Sequence, residues 1–203
     1  MARVTSLPVQ TVARVSPGTG ISAMQIVTAL ENEILIPFRK EQTERPKTTS
    51  QLFHEDMGGT VYDPIVGLHE DVAEVDFFSM YPSIMVKFNI SPETVNTLKS
   101  TSDLVVELEK MTNNDKELGL IPRTLAPLLE KRYKLKAGLR TLSHFDCRYK
   151  NYKTRTAAHK WLLVTCFGYL GYKNARFGKI EAHEAVTSYG REVLLRAKEA
   201  AED

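Results

Sequence analysis

Between Pro122 and Phe167 the chain carries two long runs of helical periodicity joined by a short link, and no other feature so narrows what it can fold into. Leu125, Leu128, Leu129, Leu135 and Leu139 recur at the three- and four-residue intervals that put apolar side chains on one helix face. A second helix is expected from about Lys153 to Phe167, with His144, Phe145 and Tyr149 at the tip between the two. Two helices joined so closely pack antiparallel, as a hairpin.

The hairpin is also where the positive charge lies. Residues 131–160 hold ten Lys/Arg and one acid, Asp146, so the remaining residues carry 17 basic and 24 acidic side chains out of chain totals of 27 and 25. A segment at +9 on a body at −7 attracts polyanions such as nucleic acid or triphosphates, chiefly by releasing condensed counterions. The plainer alternative is a solvated lysine-rich helix pair.

Elsewhere the pattern is mixed. Ser22 followed by Gln25 reads as a capping box, and Met24, Val27, Leu30 and Ile34 keep helical spacing until Pro37. Gly58-Gly59-Thr60-Val61-Tyr62 reads as a turn entering a strand, and Val72 to Phe77 is rich in strand formers. Pro82 suits the first turn of a short helix ending near Asn89. Leu98 to Leu118 is polar with weak periodicity and reads as a surface excursion. The chain closes with a helix from Ile180 to Ala201, striped by Ala182, Val186, Tyr189, Val193 and Ala197.

Composition excludes several classes. With 42% hydrophobic and 26% charged residues the chain is neither disordered nor membrane-like, and no apolar run approaches the roughly 18 residues a span needs. The first ten residues lack the pattern of a signal peptide, so a cytoplasmic location is expected. Cys147 and Cys166 stand far apart with no histidine cluster, which argues against a zinc site and predicts two reduced thiols.

Three features bear on chemistry. Arg132 and Lys136 fall on the leucine side of their helix, where a packed face is normally apolar; either they meet an anion there or their long stems snorkel past the leucines. Lys160, Val164 and Phe167 share a face at helical spacing, presenting a cation and an aromatic ring to one space, or simply a core ring beside a surface lysine. Asp76, at a predicted strand end before a turn, can ligate a hard cation such as Mg²⁺, although such a residue is also a common turn former.

The run Asp76-Phe77-Phe78-Ser79-Met80-Tyr81-Pro82-Ser83-Ile84 resembles the DxxSLYPSI motif of family B DNA polymerases, with methionine in the usual leucine place. In the same order, Gly58-Gly59 resembles the glycine pair before the palm, Arg132 and Lys136 the RxxxK fingers motif, and Lys160 to Gly168 the K…YG helix; Asn89-Ile90-Ser91-Pro92-Glu93-Thr94 follows the tyrosine motif as in many members. The resemblance implies an α+β fold: a partial antiparallel palm sheet with packed helices plus an antiparallel helical fingers hairpin. Residues 1–117 would be the N-terminal part of the palm, 118–172 the fingers and 173–203 the palm continuing.

It further implies DNA-directed nucleotidyl transfer from a deoxynucleoside triphosphate to a primer 3′-hydroxyl. Asp76 would bind two Mg²⁺ ions, helped by the backbone carbonyl of Phe77. Ser79 and Met80 would offer backbone groups to the triphosphate, Tyr81 would pack beneath the deoxyribose, and Arg132, Lys136 and Lys160 would hold the phosphates. Phe167 and Gly168 would border the new base pair, with Gly58 and Gly59 on the DNA. Partners would be primer-template DNA, deoxynucleotides and the rest of a polymerase acting at the nucleoid: a palm hairpin with the second aspartate, a thumb and an exonuclease domain.

Three departures accompany the match. No DTD motif follows the last helix, so the metal site is expected to be incomplete and the chain inactive alone. Val164-Thr165-Cys166-Phe167-Gly168 stands where most members have Asn-Ser-x-Tyr-Gly, resembling a divergent prokaryotic branch. No exonuclease DxE segment is present. The alternatives are a non-catalytic nucleic-acid-binding module derived from a polymerase, or a structural accessory subunit. An unpaired palm edge would also invite dimerisation.

Overall fold

The computed structural model describes residues 1–38, 48–50, 58–95 and 117–202. Seven helices lie wholly within them: α1 (Ala2–Thr5), α2 (Val9–Val12), α3 (Pro17–Glu31), α4 (Met80–Lys87), α5 (Leu120–Thr141), α6 (Tyr149–Leu170) and α7 (Ile180–Glu202). The expected excursion at Leu98–Leu118 lies almost wholly outside the described residues.

The periodic segments of α5, α6 and α7 form as their spacing predicts, each with slightly wider bounds, whereas α3 is shifted toward the N-terminus. α3 differs at its start: Ser16 precedes Pro17, and proline at the first helical position fixes the backbone angle while lacking only an N–H that would have no partner there. Ser22 therefore lies inside the helix, and α3 stops at Glu31, with Asn32 as C-cap, well before Pro37.

The expected α+β architecture is not found. Among the described residues there is no strand, and the fold is helical. The run from Thr60 to Phe77 is irregular and exposed, with Val66 at 95% and Val75 at 91% of full accessibility. No backbone–backbone hydrogen bond among the described residues reaches it. Valine-rich composition favours a pleated surface, but a strand exists only when a neighbour takes up its N–H and C=O groups.

α5 and α6 pack along each other as the hairpin, with α3 and α4 against them and α7 against α4 and α6. Ile21 and Met24 of α3, Ile84 and Met85 of α4, Leu125 and Leu128 of α5, Leu162 and Cys166 of α6, and Val186 of α7 close a single core. Burying each such side chain stabilises the fold by roughly 1.5–3 kcal/mol.

The start of α5 is capped from a distance. A helix leaves its first N–H groups without internal acceptors. Here the Asn89–Glu93 loop supplies them: Gly119 N–H donates to Asn89 Oδ1 at 2.7 Å, Leu120 N–H to Glu93 Oε1 at 2.5 Å and Ile121 N–H to Ser91 Oγ at 3.1 Å. Ser91 Oγ in turn donates to Glu93 Oε2 at 2.7 Å. This loop directly follows α4, so α4 and α5 are joined by hydrogen bonds as well as by packing.

Candidate functional site

α4 opens on an uncommon backbone. Ser79, its N-cap, sits in the left-handed region at φ 48° and ψ 54°, a conformation that L side chains rarely adopt. The turn is held by Ser83, whose Oγ donates to the carbonyl of Phe78 at 2.8 Å and whose N–H donates to the carbonyl of Ser79 at 2.9 Å. Ser79 Oγ does not cap its own helix; it accepts a hydrogen bond from Arg132 Nη1 of α5 at 2.5 Å.

Arg132 is only 8% exposed, an unusual place for a cation. Burial pushes its basicity down, yet a guanidinium stays protonated at any working pH. Its Nε finds no acceptor among the described residues. The Phe78 ring lies 4.8 Å from Arg132 Cζ and 5.6 Å from Lys136 Nζ, and the Tyr133 ring meets it edge-on at 5.9 Å. The sequence places Arg132 and Lys136 on the leucine face; the structure buries the first, half-buries the second and sets both beside the turn that follows Asp76.

A second cluster lies on the far side of that turn. The Tyr81 ring packs on Phe167 of α6 at 4.4 Å, and Phe167 stacks on His183 of α7 at 4.2 Å. Gly190 of α7 makes the approach possible: a Cβ there would stand 2.9 Å from Tyr81 Cε1 and 3.6 Å from Met80 Cε. Of the two readings of the Lys160–Phe167 face, the described contacts agree with a packed ring beside a surface lysine: Phe167 meets Tyr81 and Lys160 is exposed.

The remaining expected residues are less concentrated. Asp76 is exposed, three positions before Ser79, and Phe77 is 36% exposed. No described contact joins Asp76 to Arg132 or Lys136; the turn alone places them near one another. Lys160 is exposed on α6, about 10 Å along the helix from Phe167, and no described contact ties it to the other two cations. Gly168 is exposed, with open space where a Cβ would stand. Gly58 takes a left-handed φ of +60°, and its carbonyl accepts from Arg191 Nη1 of α7 at 2.8 Å, while Gly59 lies under Tyr81 Oη.

Phe78, Tyr133, His183, Gly190 and Arg191 were not singled out in the sequence. Gly190 carried a usable signal, since glycine inside a helix costs about 1 kcal/mol relative to alanine and asks for a reason. Phe78, Tyr133 and Arg191 make contacts between residues more than fifty positions apart, and His183 meets Phe167 across two helices; no local pattern announces either.

No group of three or more His, Cys, Asp or Glu able to hold a metal occurs among the described residues. An exposed carboxylate next to a backbone carbonyl does not cage an ion by itself. It does fit a small hard cation such as Mg²⁺, which takes one or two carboxylates and draws its remaining ligands from phosphates and water. No helix among the described residues is long and apolar enough to cross a membrane. Neither cysteine is in a disulfide; Cys147 is exposed, and burial pushes the Cys166 thiol up to about 12.

Residues 10–203 match the description "DNA polymerase family B". The chain is 37% identical over 196 residues to "DNA polymerase 2" of Saccharolobus solfataricus, covering 97% of this chain and 28% of that protein. It is 31% identical over 202 residues to a "DNA polymerase" of Archaeoglobus fulgidus, covering 100% of this chain and 24% of that one. Among solved structures, the family B DNA polymerase of the hyperthermophilic archaeon Pyrobaculum calidifontis superposes at a TM-score of 0.65 with 28% identity, over 98% of this chain and 26% of that one. The chain thus spans about a quarter of the length of these three relatives.

Proposed function

The chain belongs to DNA polymerase family B, and from that premise we propose that it holds the incoming deoxynucleoside triphosphate, together with one catalytic carboxylate, for templated DNA synthesis. Residues 118–172 act as fingers, and residues 1–117 and 173–203 belong to the palm. The parent activity is transfer of a nucleotidyl group to a primer 3′-hydroxyl, in the cytoplasm at the nucleoid. Primer-template DNA and the remainder of the polymerase, including a second carboxylate-bearing hairpin, a thumb and an exonuclease domain, are its partners.

The observation that carries this reading is Arg132, a nearly buried cation whose Nε–H has no acceptor among the described residues, seated with Lys136 beside the turn that Asp76 enters. Phosphoryl transfer asks little covalent work of a protein; it asks for charge neutralisation and in-line placement. Arg132 and Lys136 supply the first for the triphosphate, with Lys160 joining from α6. The left-handed turn at Ser79 presents the backbone of Ser79 and Met80 toward the same phosphates.

Tyr81, held between Phe167 and Gly190, forms the floor on which the sugar rests, where a 2′-hydroxyl collides with the ring. Phe167 and Gly168 face the base pair, and Gly58 and Gly59 approach the DNA. Asp76 and the Phe77 carbonyl would hold Mg²⁺, which would neutralise phosphate charge and acidify the attacking hydroxyl. A bridged ion pair needs more than one carboxylate, and Asp76 is the one carboxylate assigned to this turn. The 203-residue chain alone therefore binds nucleotide without completing transfer.

A fluorescent dATP analogue titrated into the purified chain, with and without Mg²⁺, tests this. Saturable binding strengthened by Mg²⁺, with that strengthening lost in Asp76→Asn, is expected. Binding of single-stranded DNA with none of the nucleotide points instead to a non-catalytic nucleic-acid-binding module. Binding of neither leaves a structural subunit, and primer extension by the isolated chain refutes the inactivity.

A further inference from the structure

Arg132 and Lys136 lie one helical turn apart on α5, at a spacing where like charges repel. Among the described residues no carboxylate pairs with either of them. What lies between them is an aromatic ring. Phe78 is 4.8 Å from the Arg132 guanidinium carbon and 5.6 Å from Lys136 Nζ, inside the range where the negative face of a ring attracts a cation. Tyr133 closes on the same ring at 5.9 Å with the planes at 89°, so one turn of α5 meets Phe78 at three points.

The ring is itself fixed from below. The Phe78 carbonyl accepts from Ser83 Oγ at 2.8 Å, and Ser79, next in the chain, accepts from Arg132. Both the backbone carrying the ring and the cation above it are therefore constrained by hydrogen bonds.

We propose that Phe78 is a positioning residue for triphosphate capture, an aromatic seat that holds Arg132 and Lys136 side by side while leaving their charge unneutralised. This deepens the nucleotide-binding reading and rests on it. The chemistry explains why a ring serves better than an acid here. A carboxylate would hold two cations more strongly, but it would form ion pairs that an incoming triphosphate must break. A ring quadrupole opposes their repulsion without cancelling their charge, and it stays in place beneath both cations while their other donors meet the phosphates.

Two tests separate this role from simple packing. Phe78→Leu keeps an apolar side chain but removes the π face, and each cation–ring contact corresponds to a factor of about two to five in an equilibrium constant. The fluorescent dATP analogue should then bind roughly 5- to 30-fold more weakly to the leucine variant, if both contacts count. Phe78→Trp should restore most of the loss. Without nucleotide, a double-mutant cycle of Phe78→Leu with Lys136→Met should show coupling of about two- to fivefold in the unfolding constant.

Unchanged affinity in Phe78→Leu, failure of the tryptophan variant to rescue, or zero coupling in the cycle overturns the proposal. The two readings fail differently. If Arg132→Met weakens binding and Phe78→Leu does not, only the seat is wrong. If Arg132→Met binds the nucleotide unchanged, the nucleotide reading falls and takes this role with it.

Discussion

Replacing Arg132 by methionine separates packing from charge at the most unusual residue of the site. Methionine keeps most of the aliphatic stem that fills the space between α4 and α5, so little cavity opens. The variant loses the hydrogen bond to Ser79, worth about 1.5 kcal/mol for a charged donor on a neutral hydroxyl, and the contact with the Phe78 ring, worth about 0.5–1 kcal/mol. Against this it removes a buried N–H with no acceptor among the described residues, whose desolvation costs about 1–3 kcal/mol. The terms nearly cancel, and urea unfolding followed by circular dichroism should place Arg132→Met within about 1 kcal/mol of the parent. Arg132→Ala, which also deletes the stem, should fall lower by about 2 kcal/mol. Nucleotide binding should behave oppositely: a charge-assisted hydrogen bond to phosphate is worth about 1.5–3 kcal/mol, so the methionine variant should bind the dATP analogue roughly 10- to 150-fold more weakly. A variant that loses more than about 2 kcal/mol of stability yet keeps its nucleotide affinity would refute the reasoning and make Arg132 a structural residue.

Gly190→Ala gains helix propensity of about 1 kcal/mol but pushes a methyl into Tyr81, where overpacking costs about 1–3 kcal/mol. We expect a net loss of at most about 2 kcal/mol in thermal unfolding, with reduced preference for dATP over ATP in competition binding; an unchanged preference would mean that Tyr81 does not sense the sugar. Ser91→Ala leaves the buried Ile121 N–H without its acceptor and should cost about 1–3 kcal/mol, with faster hydrogen exchange at Ile121. A chromogenic disulfide at pH 8 should modify Cys147 promptly and Cys166 only on unfolding, because the Cys166 thiol is buried and raised to about 12; rapid modification of both would contradict the packing of α6.

Much of the helical framework was legible because it is local. Leu125, Leu128 and Leu135 repeat at a period that only a helix satisfies, and all three are buried. The α3 boundary was misread because Ser22 and Gln25 fit a capping pattern, whereas Pro17, which fixes the start, acts by restricting one dihedral and carries no periodic signature. Val72 to Phe77 failed as a strand for a different reason: strand propensity expresses a fit to neighbours, and the described residues offer that run none.

Within the site, the sequence could mark Arg132 and Lys136 as intruders on an apolar face but could not name what they touch. Phe78 lies inside the polymerase-like run around Asp76 but gains no role from it, because its ring contacts depend on where α5 crosses α4. Lys160 shows the converse, since helical spacing from Phe167 placed the two on one face and the packing of α6 left the lysine in solvent. The Asn89–Glu93 loop followed the tyrosine-containing motif with no assigned task; its acceptors find their donors about thirty residues further on.

That loop has a mechanical consequence. α5 is anchored to the α4 region twice, at its first turn by Asn89, Ser91 and Glu93 and, about 18 Å further along, at Ser79 by Arg132. Between two fixed points a helix resists swinging even though Pro127 interrupts its hydrogen-bond ladder there, so swinging of the hairpin tip should pivot at the second anchor and involve the last nine residues of α5 and the start of α6. An approaching polyanion that draws Arg132 away from Ser79 undoes that second fastening, and the pivot retreats by three turns toward the base.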